Sequence, residues 1–178
     1  MAAMSDVSKS LDMIGNTPGQ RLVRGQKYWE AQTGPAVAAA ALVQRSSNWI
    51  VGTVPEDTRF PYNEIAYDTG GFILDPANPH TFTIPAGMTS VILQATLNVQ
   101  HASANRYGRI IFYKNGSRVY PGTTWQEHQR SGTTLAISMA SGLVPCQEGD
   151  TFDLRAWIAP NATFTFPAIT NNFSIRAS

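Results

Sequence analysis

The chain has little charge, almost no cysteine and no long hydrophobic run. Only 14% of its 178 residues are Asp, Glu, Lys or Arg, against about 25% in an ordinary soluble domain. Yet 43% are hydrophobic, which excludes a disordered chain, since disorder needs low hydrophobicity and high charge. The surface must therefore be polar mainly through Thr, Ser, Asn and Gln, a composition suited to contact between proteins. No excess of one sign exists: 13 basic residues face 12 acidic ones, so no basic stripe is available for nucleic acid or anionic lipid. Cys146 is the single cysteine, so no disulfide framework forms within the chain. The longest near-apolar stretch, Pro35 to Val43, is far below the roughly 20 residues of a membrane span. Met1 to Lys9 carries Asp6 and lacks an apolar segment behind a basic end. It does not read as a secretory signal, and the expectation is synthesis in the cytosol.

Catalytic signatures are missing too. No Gly-x-Ser-x-Gly elbow, His-Glu-x-x-His pair or phosphate-binding loop occurs. His80, His101 and His128 lack metal-ligand spacing. Glu127-His128 is the most enzyme-like pair, but adjacent strand residues point to opposite faces and do not converge. Asp150 and Asp153 are too few to specify a calcium site. Cys146 reads as a small, partly buried residue rather than a reactive thiol. The expectation is a protein without enzymatic activity, cofactor or metal.

What is present divides the chain in two. Residues 1–62 read as an arm, a helix and a linker. Met1 to Gly25 has no sustained period and carries turn formers at Gly15, Asn16, Pro18 and Gly19. Gln26 to Gln32 suits a short helical turn or strand, with Tyr28 and Trp29 as large apolar groups. Gly34-Pro35 then precedes Ala36 to Val43, where alanine favours a helix and Pro35 suits its first turn. Such a helix is apolar all round and must be buried, between chains or, alternatively, on its own sandwich. Ser46 to Tyr62 reads as an extended linker with Trp49-Ile50-Val51 as an anchor. Tyr28, Trp29, Val37, Ala40, Ala41, Leu42 and Trp49 are the candidate anchoring and assembly residues.

From Ile65 the period becomes two. Val91, Leu93, Ala95, Leu97 and Val99 point one way; Gln94, Thr96, Asn98 and Gln100 point the other. Leu135-Ile137-Met139, Phe152-Leu154-Ala156-Ile158, Phe164-Phe166 and Phe173-Ile175-Ala177 repeat the alternation. Shorter strands fit Ile65 to Tyr67, Phe72 to Leu74 and Thr81 to Ile84. Asn115-Gly116 between Arg109–Lys114 and Ser117–Tyr120 is a strong hairpin signal, because both residues accept positive φ. Many short strands at regular spacing imply an all-β, antiparallel β-sandwich over residues 63–178.

The order of features carries a resemblance. Asp68-Thr69-Gly70-Gly71 is followed by Thr81 to Gly87, a long alternating strand, Ile111 to Gly116, a Ser/Thr-rich strand, Glu148 to Leu154 and Asn172 to Ile175. From Asn63 to Ser178 this resembles the globular head of the first complement component and its tumour-necrosis-factor-like relatives, a domain type also found on bacteriophage fibres and virion decoration proteins. The resemblance implies a jelly roll that forms a homotrimer through aromatic and aliphatic side chains near a threefold axis. The chain has no Gly-X-Y stalk, unlike many complement-like proteins. With an arm in its place, the resemblance points to a non-enzymatic structural protein of a bacteriophage-like virion. It would be a trimeric capsid decoration (cement) or short head-fibre protein, its arm docked on a major capsid or tail protein. The alternative is a tail-fibre tip that binds a host receptor or glycan. Tyr107, Arg109, Tyr113, Tyr120, Trp125 and Arg130 form the candidate head interface or ligand patch, since aromatics with arginine are the usual interface anchors.

Overall fold

The computed structural model describes residues 20–23, 26–29, 38–52, 54–100, 106–128, 134–159 and 163–178, the side chains of 20–29, 106–107, 120–128 and 159 excepted. Two units divide at Val37/Ala38. In the first, β1 (Gln20–Val23) and β2 (Gln26–Trp29) pair antiparallel, Gln20 opposite Trp29 and Val23 opposite Gln26.

The second unit holds β3 (Ala40–Gln44), β4 (Trp49–Val51), β5 (Val54–Arg59), β6 (Glu64–Asp68), β7 (Thr81–Thr83), β8 (Ser90–Gln100), β9 (Arg106–Lys114), β10 (Ser117–His128), β11 (Thr134–Ala140), β12 (Val144–Pro145), β13 (Thr151–Ala159), β14 (Phe164–Phe166) and β15 (Asn172–Ala177). They form two antiparallel sheets, one of eight strands and one of five. The long β8 is the spine of the larger sheet. β11 and β12 flank one of its edges, and β15 and β14 the other. β3 follows β15, β6 follows β3, and β4 follows β14. The smaller sheet runs β10-β9-β13, with β5 and β7 both on the far edge of β13. This is the expected all-β antiparallel sandwich.

Alternation places the core between the sheets. Val91, Leu93, Ala95, Leu97 and Val99 are all buried, as are Leu135, Ile137, Phe152, Leu154 and Ile158. All eight phenylalanines of the chain are fully buried. Phe173 of β15 lies 4.6 Å from Phe82 and 5.8 Å from Phe112 between ring centroids, so aromatic contacts join one sheet to the other. The hairpin forms where expected: Asn115 and Gly116 take φ of 51° and 76°, and Ser117 pairs with Lys114.

Four expectations are corrected. The alanine-rich segment is a strand: Ala40, Ala41, Leu42 and Val43 belong to β3, between β15 and β6. Ala41 and Val43 face the core while Ala40 and Leu42 face outward. Hydrogen bonding on both edges and the burial of Val43 override alanine's helical preference. Pro35, Ala36 and Val37 lie outside the described residues. Second, 46–62 is no linker, for it supplies β4 and β5. Residues 38–62 are thus part of the sandwich, and the boundary falls at 37/38 rather than 62/63. Third, Gln20–Val23 is a strand rather than part of an irregular arm. Fourth, Phe72 to Leu74 is not a strand. The Asp68 carboxylate accepts the main-chain N–H groups of Gly70, Gly71, Phe72 and Ile73 at 2.8–3.1 Å, so a side chain takes the donors that a ladder would use.

Candidate functional site

The larger sheet has one face on the core and one without a covering layer among the described residues. The open face follows from the alternation of β8 and its neighbours: Gln94, Thr96 and Asn98 beside Ser138 and Ala140 on one side and Asn172 and Ser174 on the other. Leu42 and Tyr67 continue it across β3 and β6. Apart from Asn98, these residues line a shallow depression of about 540 Å³. Among the described residues, Glu64 and Arg176 alone bring charge to this face, and Gln44 Nε2 donates to the Glu64 carboxylate at 3.0 Å. Two of the exposed large apolar side chains, Ile50 (66% exposed) and Tyr67 (46%), also belong to it. Hydroxyl and amide groups bond locally: Thr96 with Ser138 at 3.2 Å, and Asn98 Nδ2 to the Thr170 carbonyl at 2.7 Å. Depletion of charge with scattered apolar groups is what distinguishes the centre of a protein interface from ordinary surface.

The outer face of the smaller sheet differs in kind. Arg109 and Tyr113 of β9 stand beside Asp153, Arg155 and Trp157 of β13. The Arg155 guanidinium lies 3.9 Å from the Tyr113 ring centroid, and that of Arg109 lies 5.1 Å from Trp157. A bulge in β5, with Asp57 at φ 62°, brings in acid. Glu56 pairs with Arg109 and Arg118, and Asp57 with Arg118 at 3.0 Å. Arg118 also donates to the Tyr113 hydroxyl at 3.0 Å. Burial pushes the Asp57 carboxyl up, but hydrogen bonds from Tyr113 and Arg118 outweigh it and hold the group below its usual range. These cations are thus answered within the chain.

Asp150 and Asp153 are likewise committed. Asp150 pairs with Lys114 at 2.8 Å and accepts from Asn115 Nδ2 at 2.7 Å. Hydrogen bonds from Lys114 and Asn115 hold its carboxyl down to about 2. Asp153 pairs with Arg59 and Arg155. Among the described residues no group of three or more His, Cys, Asp or Glu stands together to hold a metal ion.

No family model matches the sequence, and no curated protein does. Solved structures match its shape. Murine APRIL at pH 5.0 aligns with a TM-score of 0.54 at 11% identity, over 79% of this chain and 99% of that one. The Eiger TNF of S. frugiperda aligns at 0.51 and 9%, over 79% and 92%. The globular domain of zebrafish complement 1qA protein aligns at 0.48 and 10%, over 79% and 96%. The fold is the tumour-necrosis-factor-like jelly roll. At such identities the likeness is one of fold alone.

The jelly roll separates the residues marked in the sequence. Ala41 is core, and Trp49 stacks on Phe166 at 4.9 Å and meets Phe60 edge-on at 5.3 Å. Both pack into the sandwich itself, Ala41 fully and Trp49 in part. Ala40 and Leu42 lie on the open face. Tyr28 and Trp29 belong to β2 of the first unit, and Val37 lies outside the described residues. Arg109 and Tyr113 share the outer face, but Tyr113 is only 4% exposed and is no ligand platform. Tyr107 is on β9, and Tyr120, Trp125, Glu127 and His128 are on β10; their side chains and Arg130 lie outside the described residues. Cys146 is half-buried against the core, and burial pushes its thiol up. Trp157, Arg155, Glu56 and Asp57 complete the outer face and were not marked. Tyr67 was not marked either, although the alternation that exposes Gln94, Thr96 and Asn98 signals the face it joins.

Proposed function

We propose that the chain is a non-enzymatic structural protein that self-associates as a homotrimer through the open face of its larger sheet. Its setting is a bacteriophage-like virion, as a capsid decoration or short head-fibre protein docked through residues 1–37. The observation that carries the reading is the nearly uncharged open face, with Ile50, Leu42 and Tyr67 on it. Burial of apolar surface contributes about 25 cal/mol per Å², and the cost of association offsets part of that. With Glu64 and Arg176 as its charges among the described residues, the face avoids most of the large cost of desolvating ions, and this favours contact between copies. Light scattering after size exclusion tests the association: the full chain should run as a trimer and Thr96→Arg as a monomer. A monomeric wild-type chain would sink the trimer. The virion setting predicts that the protein co-purifies with particles, and that deleting residues 1–37 releases it from them.

The receptor- or glycan-binding reading rests on the arginine and aromatic groups of the outer face. Glu56 and Asp57 already engage Arg109 and Arg118 there, which favours the structural reading.

A further inference from the structure

Asn115-Gly116 is the one place in the chain where glycine follows asparagine. Glycine has no side chain to hinder its main-chain nitrogen or to restrict the backbone around it. Asn115, Gly116 and Ser117 are all exposed at the tip of the β9–β10 hairpin. The side-chain amide of Asn115 is held in a particular way. Its Oδ1 accepts from the Thr151 main-chain N–H at 2.8 Å and from the Thr151 hydroxyl at 3.3 Å. Two donors on a carbonyl oxygen stabilise the negative charge that collects there when a nucleophile adds to the carbon. Its Nδ2 donates to Asp150 Oδ1.

We propose that Asn115 is a site of spontaneous covalent modification, whose products loosen the β9–β10 turn from the start of β13. The main-chain nitrogen of Gly116 loses its proton to solvent and bonds to Asn115 Cγ. The Cγ–Nδ2 bond breaks, and the amide nitrogen takes one proton from solvent and leaves as ammonia. Water then adds to one carbonyl of the five-membered imide. Opening on one side leaves aspartate, and on the other isoaspartate. No oxidant or enzyme is needed. Either product sets a carboxylate where an amide donated to Asp150, a residue that is 6% exposed, and like charges that close repel. Isoaspartate also lengthens the main chain by one methylene inside a two-residue turn that fixes Ser117 opposite Lys114. The site lies on the smaller sheet and does not depend on the trimer reading.

The full chain is held for weeks in mildly alkaline buffer at body temperature, digested, and read by mass spectrometry with an isoaspartate-specific methyltransferase assay. Conversion at Asn115 should outpace that at every other asparagine and slow in Thr151→Ala. In parallel, Asn115→Asp should lower Tm by roughly 3 °C or more, and by less in an Asp150→Asn background, where the repulsion is gone. An intact Asn115 while other asparagines convert overturns the proposal. So does an Asn115→Asp protein with the wild-type Tm. If that variant does not fold, the conversion rates alone decide.

Discussion

Tyr62 carries a hydroxyl with no hydrogen-bond partner among the described residues, and it is buried. Its ring packs 4.8 Å from Phe60, so the ring stabilises while the hydroxyl costs. Burial alone pushes its phenol well above the usual value. Tyr62→Phe keeps the packing and removes the orphan, so it should raise stability by about 1 kcal/mol, read as a higher urea midpoint at unchanged slope. Gly70 gives the opposite case. A Cβ there would stand 2.4 Å from Phe72 Cε2 and 2.8 Å from Ala39 Cβ, so Gly70→Ala should cost roughly 1–3 kcal/mol by overpacking. Asp150 makes stability depend on pH. Its folded carboxyl sits at about 2, below an unfolded value of about 3.9. Its contribution is therefore complete above the unfolded value and is lost as pH falls toward 2. Asp150→Asn should lose stability at neutral pH and lose less than wild type on further acidification, visible in melts across that range. None of these pairings could be read from the sequence: Arg118 meets Glu56 across 62 positions and Arg59 meets Asp153 across 94. Only folding brings them together.

Strands of one covered sheet announce themselves by alternation, which is why β8, β11, β13 and β15 were legible. Each has a wet face and a dry one, and the sequence alternates with them. β3 was not legible, because small apolar side chains fit both its faces and alanine's local preference is helical. What decides β3 is the pairing of Ala41 with Ile175 and of Val43 with Phe173, contacts more than a hundred residues away. β4 and β5 escaped for a related reason: they are short, and Pro55, Asp57 and Pro61 read as breakers. The hairpin succeeded because Asn115-Gly116 carries its instruction locally. β15 is the strand on which both sheets depend, since Phe173 touches Phe82 and Phe112 across the core and stacks near Tyr62 at 6.3 Å. Phe173→Ala should therefore cost about 3–5 kcal/mol and expose core on both sheets at once. Phe173→Leu should recover much of that loss in the same chemical denaturation, because it refills most of the volume.

Where the foldable unit begins follows from those strands. A protein starting at Asn63 would lack β3, β4 and β5. Removing β3 leaves one edge of β15 unpaired and separates β6 from the sheet. Losing β5 and β4 strips an edge of β13 and a neighbour of β14. Trp49 and Phe60, which pack on Phe166, go with them. Such a deletion uncovers buried phenylalanines and main-chain groups together, losses too large for a domain stable by about 5–15 kcal/mol. A protein starting at Ala38 keeps every one of these contacts. Circular dichroism melts should show a cooperative transition for residues 38–178 and none for residues 63–178. The same pair separates folding from assembly. If residues 38–178 melt cooperatively and also run as a trimer by light scattering, the open face suffices for association and residues 1–37 are left to dock elsewhere. If they melt cooperatively but run as monomers while the full chain is a trimer, association belongs to the first unit, and the open face is ordinary surface.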